Sequence, residues 1–196
     1  RKVDVPSLAV VLLIDRSGSM ETAVGRATRL DMAKEASQLA VELLDERNEV
    51  GVIAFDTAWS WVVPIGPAKD KAGIVREIAS IKAGGGTEMF PALKEAYEAL
   101  YERDALLKHI IVLSDGESSD ADFVGLVRRM ARDRITLSSV AISSEAGIAL
   151  MQDVSRWGRG RYYYTEDAYT IPRIFTMETQ LASKASLIEQ PFRPAV

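Results

Sequence analysis

The amino-acid sequence predicts one α/β domain: a doubly wound, Rossmann-like, mostly parallel six-stranded sheet with one short antiparallel edge strand and helices on both faces. Three observations predict it. Residues 8–14 (LAVVLLI) form an unbroken apolar run, as expected of a strand buried on both faces of a parallel sheet. Strand-like runs alternate with stretches of helical spacing along nearly the whole chain. The chain has 196 residues, 47% of them hydrophobic, which suits one compact domain and is short for two.

Each element follows in order. After the first strand, residues 29–44 carry Leu30, Ala33, Ala36, Ala40, Leu43 and Leu44 at helical spacing. Residues 49–55 (EVGVIAF) form a second strand and residues 58–63 (AWSWVV) a third. The Asp56-Thr57 link between them is too short for a parallel crossover, so this pair is an antiparallel hairpin. Residues 70–81 form a helix, Gly84-Gly85-Gly86 breaks the pattern, and a helix over 90–101 follows with Pro91 in its first turn. Then come a strand at 108–114, a helix at 121–133, a strand at 136–142, a helix at 145–157 and a strand at 161–165. A helix from Asp167 toward Ala185 completes the order, its apolar residues Ile171, Ile174, Phe175 and Leu181 set to pack on the sheet. Residues 1–7 read as a lead-in, 8–185 as the domain, and 186–196, with Pro191 and Pro194, as a linker onward.

Composition excludes several functions. A formal net charge of −4 and a pI near 5.2 argue against nucleic-acid binding. Short basic clusters such as Arg128-Arg129 fall in amphipathic helix patterns and read as solvated faces. No cysteine is present, so neither a disulfide frame nor a thiolate metal site is available. With His109 the only histidine, a multi-histidine site is excluded. His109 precedes an apolar run and is expected at the surface or a strand edge. No segment approaches the roughly 20 apolar residues that span a bilayer, so no direct membrane insertion of this segment is expected. Because the sequence starts at Arg1 and shows no signal peptide, it is expected to be a piece of a longer or processed protein.

Three separated segments place oxygen-bearing side chains at one end of the sheet. Asp15, Ser17 and Ser19 follow the first strand, Thr87 follows the triple glycine, and Asp115 follows the strand at 108–114. In a doubly wound sheet, ligands bind outside the carboxyl ends of the strands, where the strand order reverses. Two carboxylates and three hydroxyls form a hard-oxygen set, which favours magnesium, with manganese or calcium as alternatives, over zinc or copper. Two carboxylates balance a dication while the hydroxyls add ligation without charge, leaving the ion able to attract an outside anion. Gly18 and Gly84 to Gly86 permit close backbone approach. The bland alternative is that Ser17, Ser19 and Thr87 only cap helices and turns.

The pattern Asp15-x-Ser17-x-Ser19 after the first strand, Thr87 in a glycine-rich loop, and Asp115-Gly116 after a later strand resembles the metal-ion-dependent adhesion site of von Willebrand factor A-type domains. The resemblance covers about residues 8–185. It implies that the two serines and the threonine ligate a divalent cation directly, that the aspartates act directly or through water, and that the open position takes an Asp or Glu. That acid would come from a protein partner or from another domain of the parent. The segment 171–194 is similar to the end of such domains in bacterial multi-pass membrane proteins that also carry a glutamine-amidotransferase-like region. In many relatives ligand binding goes with a shift of the last helix, which makes the helix from Asp167 a candidate reporter.

Other residues have weaker claims. Asp120 and Asp122, with Glu117 nearby, either tune the rim or begin the next helix, and the helix reading is preferred. Glu88 is a rim contact or simply exposed, and neither Met20 nor Glu21 stands out as a ligand. Trp59 and Trp61 share one face of the edge strand, where packing under a helix is preferred to a partner surface. Tyr162, Tyr163 and Tyr164 read as strand filler. Catalysis is not expected: an Asp-x-Asp phosphotransfer pair is broken by Ser17, Gly84 to Thr87 lacks a phosphate-loop lysine, and no G-x-S-x-G elbow with a histidine exists. The alternative to a binding module is an assembly domain that docks within a larger membrane protein or beside an AAA+ ATPase, with metal mainly stabilising it. A metal-dependent phosphohydrolase ranks below both.

Overall fold

A computed structural model describes residues 8–115, 118–142 and 147–188. Gly116, Glu117, the expected helix start at Glu145, the lead-in and the tail after Ile188 lie outside the described residues. β1 (Leu8–Asp15) is buried along its whole length, as its unbroken apolar run requires. It pairs in parallel with β4 (Glu49–Phe55) on one side and with β6 (Leu107–Ser114) on the other. Beyond β4 lies β5 (Trp59–Pro67), antiparallel and at the edge; beyond β6 lie β7 (Ile135–Ile142) and β8 (Arg159–Thr165), both parallel. The order β5-β4-β1-β6-β7-β8 gives the six strands and the single antiparallel edge that the sequence predicts. A two-stranded hairpin of β2 (Ala23–Val24) and β3 (Ala27–Thr28) was not foreseen, being too short for a periodicity signal.

Alternation along β1 sorts the core into two layers. Leu8, Val10, Leu12 and Ile14 face α1 (Arg29–Leu43), α2 (Lys71–Ala79) and α6 (Ile171–Ile188). Ala9, Val11 and Leu13 face α3 (Met89–Tyr101), α4 (Phe123–Arg132) and α5 (Ile148–Trp157). The chain leaves β1 toward β4 and later returns to the far side of β1 as β6. The strand order therefore reverses between β1 and β6, and their carboxyl ends form the crevice where such sheets bind ligands.

Capping sets the helix starts. Thr28 and Asp31 form a reciprocal capping box at α1. Asp70 and Asp122 accept from the backbone N–H of Gly73 and Gly125, at 2.9 and 2.8 Å. The preferred reading of Asp122 as a helix start therefore holds, while Asp120 is exposed in the preceding loop.

Two other expectations need correction. His109 is buried, not at the surface: its strand position points toward α6, where Glu178 accepts at 3.0 Å from Nε2. Tyr163 is more than filler, since its hydroxyl donates to the same Glu178 carboxylate at 2.7 Å. Of the tryptophans, Trp61 does pack against the helix side, with Nε1 donating to Glu95 of α3 at 2.8 Å; Trp59 lies 37% exposed at the sheet edge. On α6, Ile171 and Phe175 are buried as expected, but Leu181 is 38% exposed.

Candidate functional site

Asp15 is the last residue of β1 and is fully buried. Its Oδ1 accepts from the Ser17 N–H at 2.7 Å, bending the chain back at the end of the strand. Its Oδ2 accepts from Ser114, the last residue of the adjacent β6, at 2.5 Å. Ser17 and Ser19 lie 3.1 Å apart through their hydroxyls, and Ser19 donates onward to Asp115 Oδ1 at 2.7 Å. Asp15, Ser17, Ser19 and Asp115 thus form one hydrogen-bonded cluster across the crevice between β1 and β6. Asp15, Ser17 and Asp115 are buried, whereas Ser19 is exposed and marks the open side.

The glycine-rich loop lies against the same cluster. Gly85 O accepts from Gly18 N–H at 3.1 Å, and Arg16 O accepts from Gly84 N–H at 2.8 Å. Gly85 has φ of 60°, and a Cβ there would come within 3.0 Å of the Asp56 carboxyl carbon, so this approach needs glycine. Beyond Thr87 the chain is pinned again: Glu88 N–H donates to Asp56 O at 2.7 Å and Met89 N–H to Ser118 Oγ at 2.9 Å. Thr87 is therefore held in a loop anchored on both sides. Among the described residues no hydrogen bond joins its hydroxyl to the other four.

The electrostatics are those of two acids crowded into a buried crevice. Burial pushes the Asp15 carboxyl above its usual range, and the neighbouring Asp115 charge adds to the push; hydrogen bonds from Ser114 and Ser17 oppose it. Asp115 is partnered by a cation that sequence reasoning missed. Arg29, the first residue of α1, donates from Nη1 to Asp115 Oδ2 at 2.7 Å. Arg16 forms an ion pair with Asp56 at 3.0 Å behind the loop. Met20 is fully buried and Glu21 exposed, so neither adds a donor to the cluster; Glu88 accepts from Ser119 at the rim.

Ser114 was also missed, although it directly precedes Asp115. The clue to Arg29 is its position. A cation in the first turn of a helix opposes the helix dipole, so its presence there signals an acid to meet.

Residues 10–117, more than half the chain, match the von Willebrand factor type A domain family. The chain belongs to that family. Domains of this family commonly mediate protein–protein interaction and are generally not enzymes. An uncharacterized protein of Synechocystis sp., sll0103, is 32% identical over 116 residues, 59% of this chain and 26% of that protein. The chain thus spans about a quarter of the length of this relative. Among solved structures, the von Willebrand factor type A protein from Catenulispora acidiphila superposes with a TM-score of 0.82 at 22% identity, covering 91% of this chain and 43% of that one. The conserved hypothetical protein BatB from Bacteroides thetaiotaomicron gives 0.78 at 20% identity, covering 90% and 99%. At these identities the likeness is one of fold.

Proposed function

We propose that this type A domain is a divalent-cation-dependent protein-binding module. Asp15, Ser17, Ser19, Thr87 and Asp115 would hold the ion, magnesium first and manganese or calcium as alternatives. The bound ion would supply a Lewis-acidic position for one Asp or Glu side chain of a protein partner or of another domain of the parent. The observation that carries this reading is the cluster at the β1–β6 crevice. Two buried carboxylates and two serine hydroxyls meet there, with every donor atom an oxygen.

The residues fit such an ion. Two carboxylates offset a dication's charge, and the exposed Ser19 leaves one side accessible. Arg29 already pairs with Asp115, so an arriving ion would have to share that carboxylate with the guanidinium. The chain's own residues do the positioning: Ser114 orients Asp15, the Ser17 N–H fixes the other carboxylate oxygen, and Gly85 brings the threonine loop against Gly18.

The test is a calorimetric titration of the domain with magnesium, manganese and calcium, with and without acetate. Asp15→Ala and Thr87→Ala are expected to abolish ion binding while the circular dichroism spectrum is retained. Unchanged ion affinity in both variants would defeat the assignment. A second reading, an assembly domain stabilised by its metal, draws on the way Asp15 ties β1 to β6 through Ser114. Chelation that lowers the melting temperature without weakening partner capture would favour it.

A further inference from the structure

We infer that the opposite end of the sheet carries a second site, one for a phosphate-bearing anion with an apolar part. A cavity of about 450 Å³ lies at the amino ends of β6, β7 and β8, beside the last turns of α6 and far along the strands from Asp15. Five cationic side chains line it: Lys108, Arg134, Arg159, Arg161 and Lys184. Among the described residues, one of them meets an acid: Arg161 donates to Glu178 through two hydrogen bonds at 2.8 and 3.0 Å. Lys108 donates to a neutral carbonyl, that of Tyr101. Among the described residues, Arg134, Arg159 and Lys184 form no ion pair. In a chain of net charge −4, this concentration of uncompensated positive charge is local and one-signed.

The backbone makes the point more specific. Arg134 and Arg159 have φ of 59° and 54°, the left-handed region in which glycine is the unstrained residue. Each stands where a helix gives way to a strand, Arg134 just before β7 and Arg159 at the head of β8. A glycine would make either turn at lower cost, so the turn alone does not account for an arginine at both. Guanidinium groups bind phosphate oxygens in pairs of parallel hydrogen bonds, which suits them to this anion better than to a halide. Leu8, Leu107 and Leu181 supply an apolar wall to the same cavity, giving the partial exposure of Leu181 a use. A second cavity of about 410 Å³ shares Arg159 and adds Arg128 and Arg132, so the positive surface continues around the β8 edge.

The ligand class is therefore a phosphomonoester or phosphodiester bearing a hydrocarbon group, whether a soluble organophosphate or a phospholipid headgroup. Two arms separate the sources: hexyl phosphate titrated against the domain by NMR, and co-sedimentation with vesicles of phosphatidylglycerol in phosphatidylcholine. Saturable shifts at Arg134, Arg159 and Leu181 with hexyl phosphate, or sedimentation that requires phosphatidylglycerol, supports the site and names its source. The double variant Arg134→Gly/Arg159→Gly keeps the turns, because glycine accepts positive φ, and should weaken binding about tenfold or more. The charge-matched control Lys69→Gln/Lys94→Gln should leave binding unchanged, as should Asp15→Ala, since the divalent-ion crevice is not involved. Absence of saturable binding in both arms overturns the proposal. So does an equal loss in the control pair, which would reduce the effect to net charge.

Discussion

Asp115 shares its two oxygens between a hydroxyl and a cation: Ser19 donates to Oδ1 and Arg29 to Oδ2. The arginine therefore competes for an acid that the proposed ion also needs. Arg29→Leu is expected to tighten manganese binding severalfold, because a positive charge within hydrogen-bond distance of the carboxylate is removed. Looser binding in that variant would show that Arg29 instead organises the site. The sequence singles out five oxygen-bearing residues, of which hydrogen bonds join Asp15, Ser17, Ser19 and Asp115, while Thr87 lies in the adjoining glycine-rich loop. Arg29 was not legible in that way. It lies 86 residues from its partner, and only the packing of α1 against the crevice brings the two together.

Among the elements, α1 and α6 show what local pattern can and cannot reveal. The Thr28–Asp31 capping box is a sequence-local device, and Thr28→Ala should cost about 1 kcal/mol in urea denaturation. Glu178 is the contrary case. It falls on the stripe of α6 that carries Ile171, Ile174 and Phe175, so an acid on an apolar face was visible in the spacing, but its partners were not. Those partners are His109, Ser138, Arg161 and Tyr163, drawn from three strands. Glu178→Ala leaves Arg161 and His109 without their acceptor and should destabilise the fold by about 3 kcal/mol, with Arg161 partly relieved by solvent.

The same carboxylate gives the fold a pH dependence. Burial raises its pKa, but hydrogen bonds from His109, Arg161 and Ser138 outweigh burial and hold it well below the usual glutamate value of 4.5. The unfolded chain then binds the proton more readily. This stabilisation is complete above the unfolded value and is lost as pH falls below it toward the depressed native one. Urea midpoints of the native protein should fall between pH 5 and 3 by more than those of Glu178→Gln, as order-of-magnitude bounds for that titration.

For the whole molecule, two apolar layers about one buried sheet set stability. Leu12, 1% exposed at the centre of β1, should cost about 3 kcal/mol on truncation to alanine, read from chemical denaturation. Gly160 tests the sheet more severely. A Cβ there would clash with the Leu137 carbonyl oxygen, so Gly160→Ala must part β8 from β7 and should lower the melting temperature markedly. Because α6 docks partly through residues of β8, that variant should also increase amide exchange along α6.

The amino-acid sequence by itself determined the six strands of the main sheet, their directions and the antiparallel hairpin at its edge. Each of these follows from local periodicity or from the rule that strand order and connection length impose on a sheet. Tertiary packing alone decided that His109 would be buried, that Arg29 would meet Asp115, and that five cations would line one cavity at the base of β6, β7 and β8. The reason is physical: periodicity reports which way a side chain points, whereas charge pairing across the fold depends on which distant segment lies opposite, and no window of sequence contains both partners.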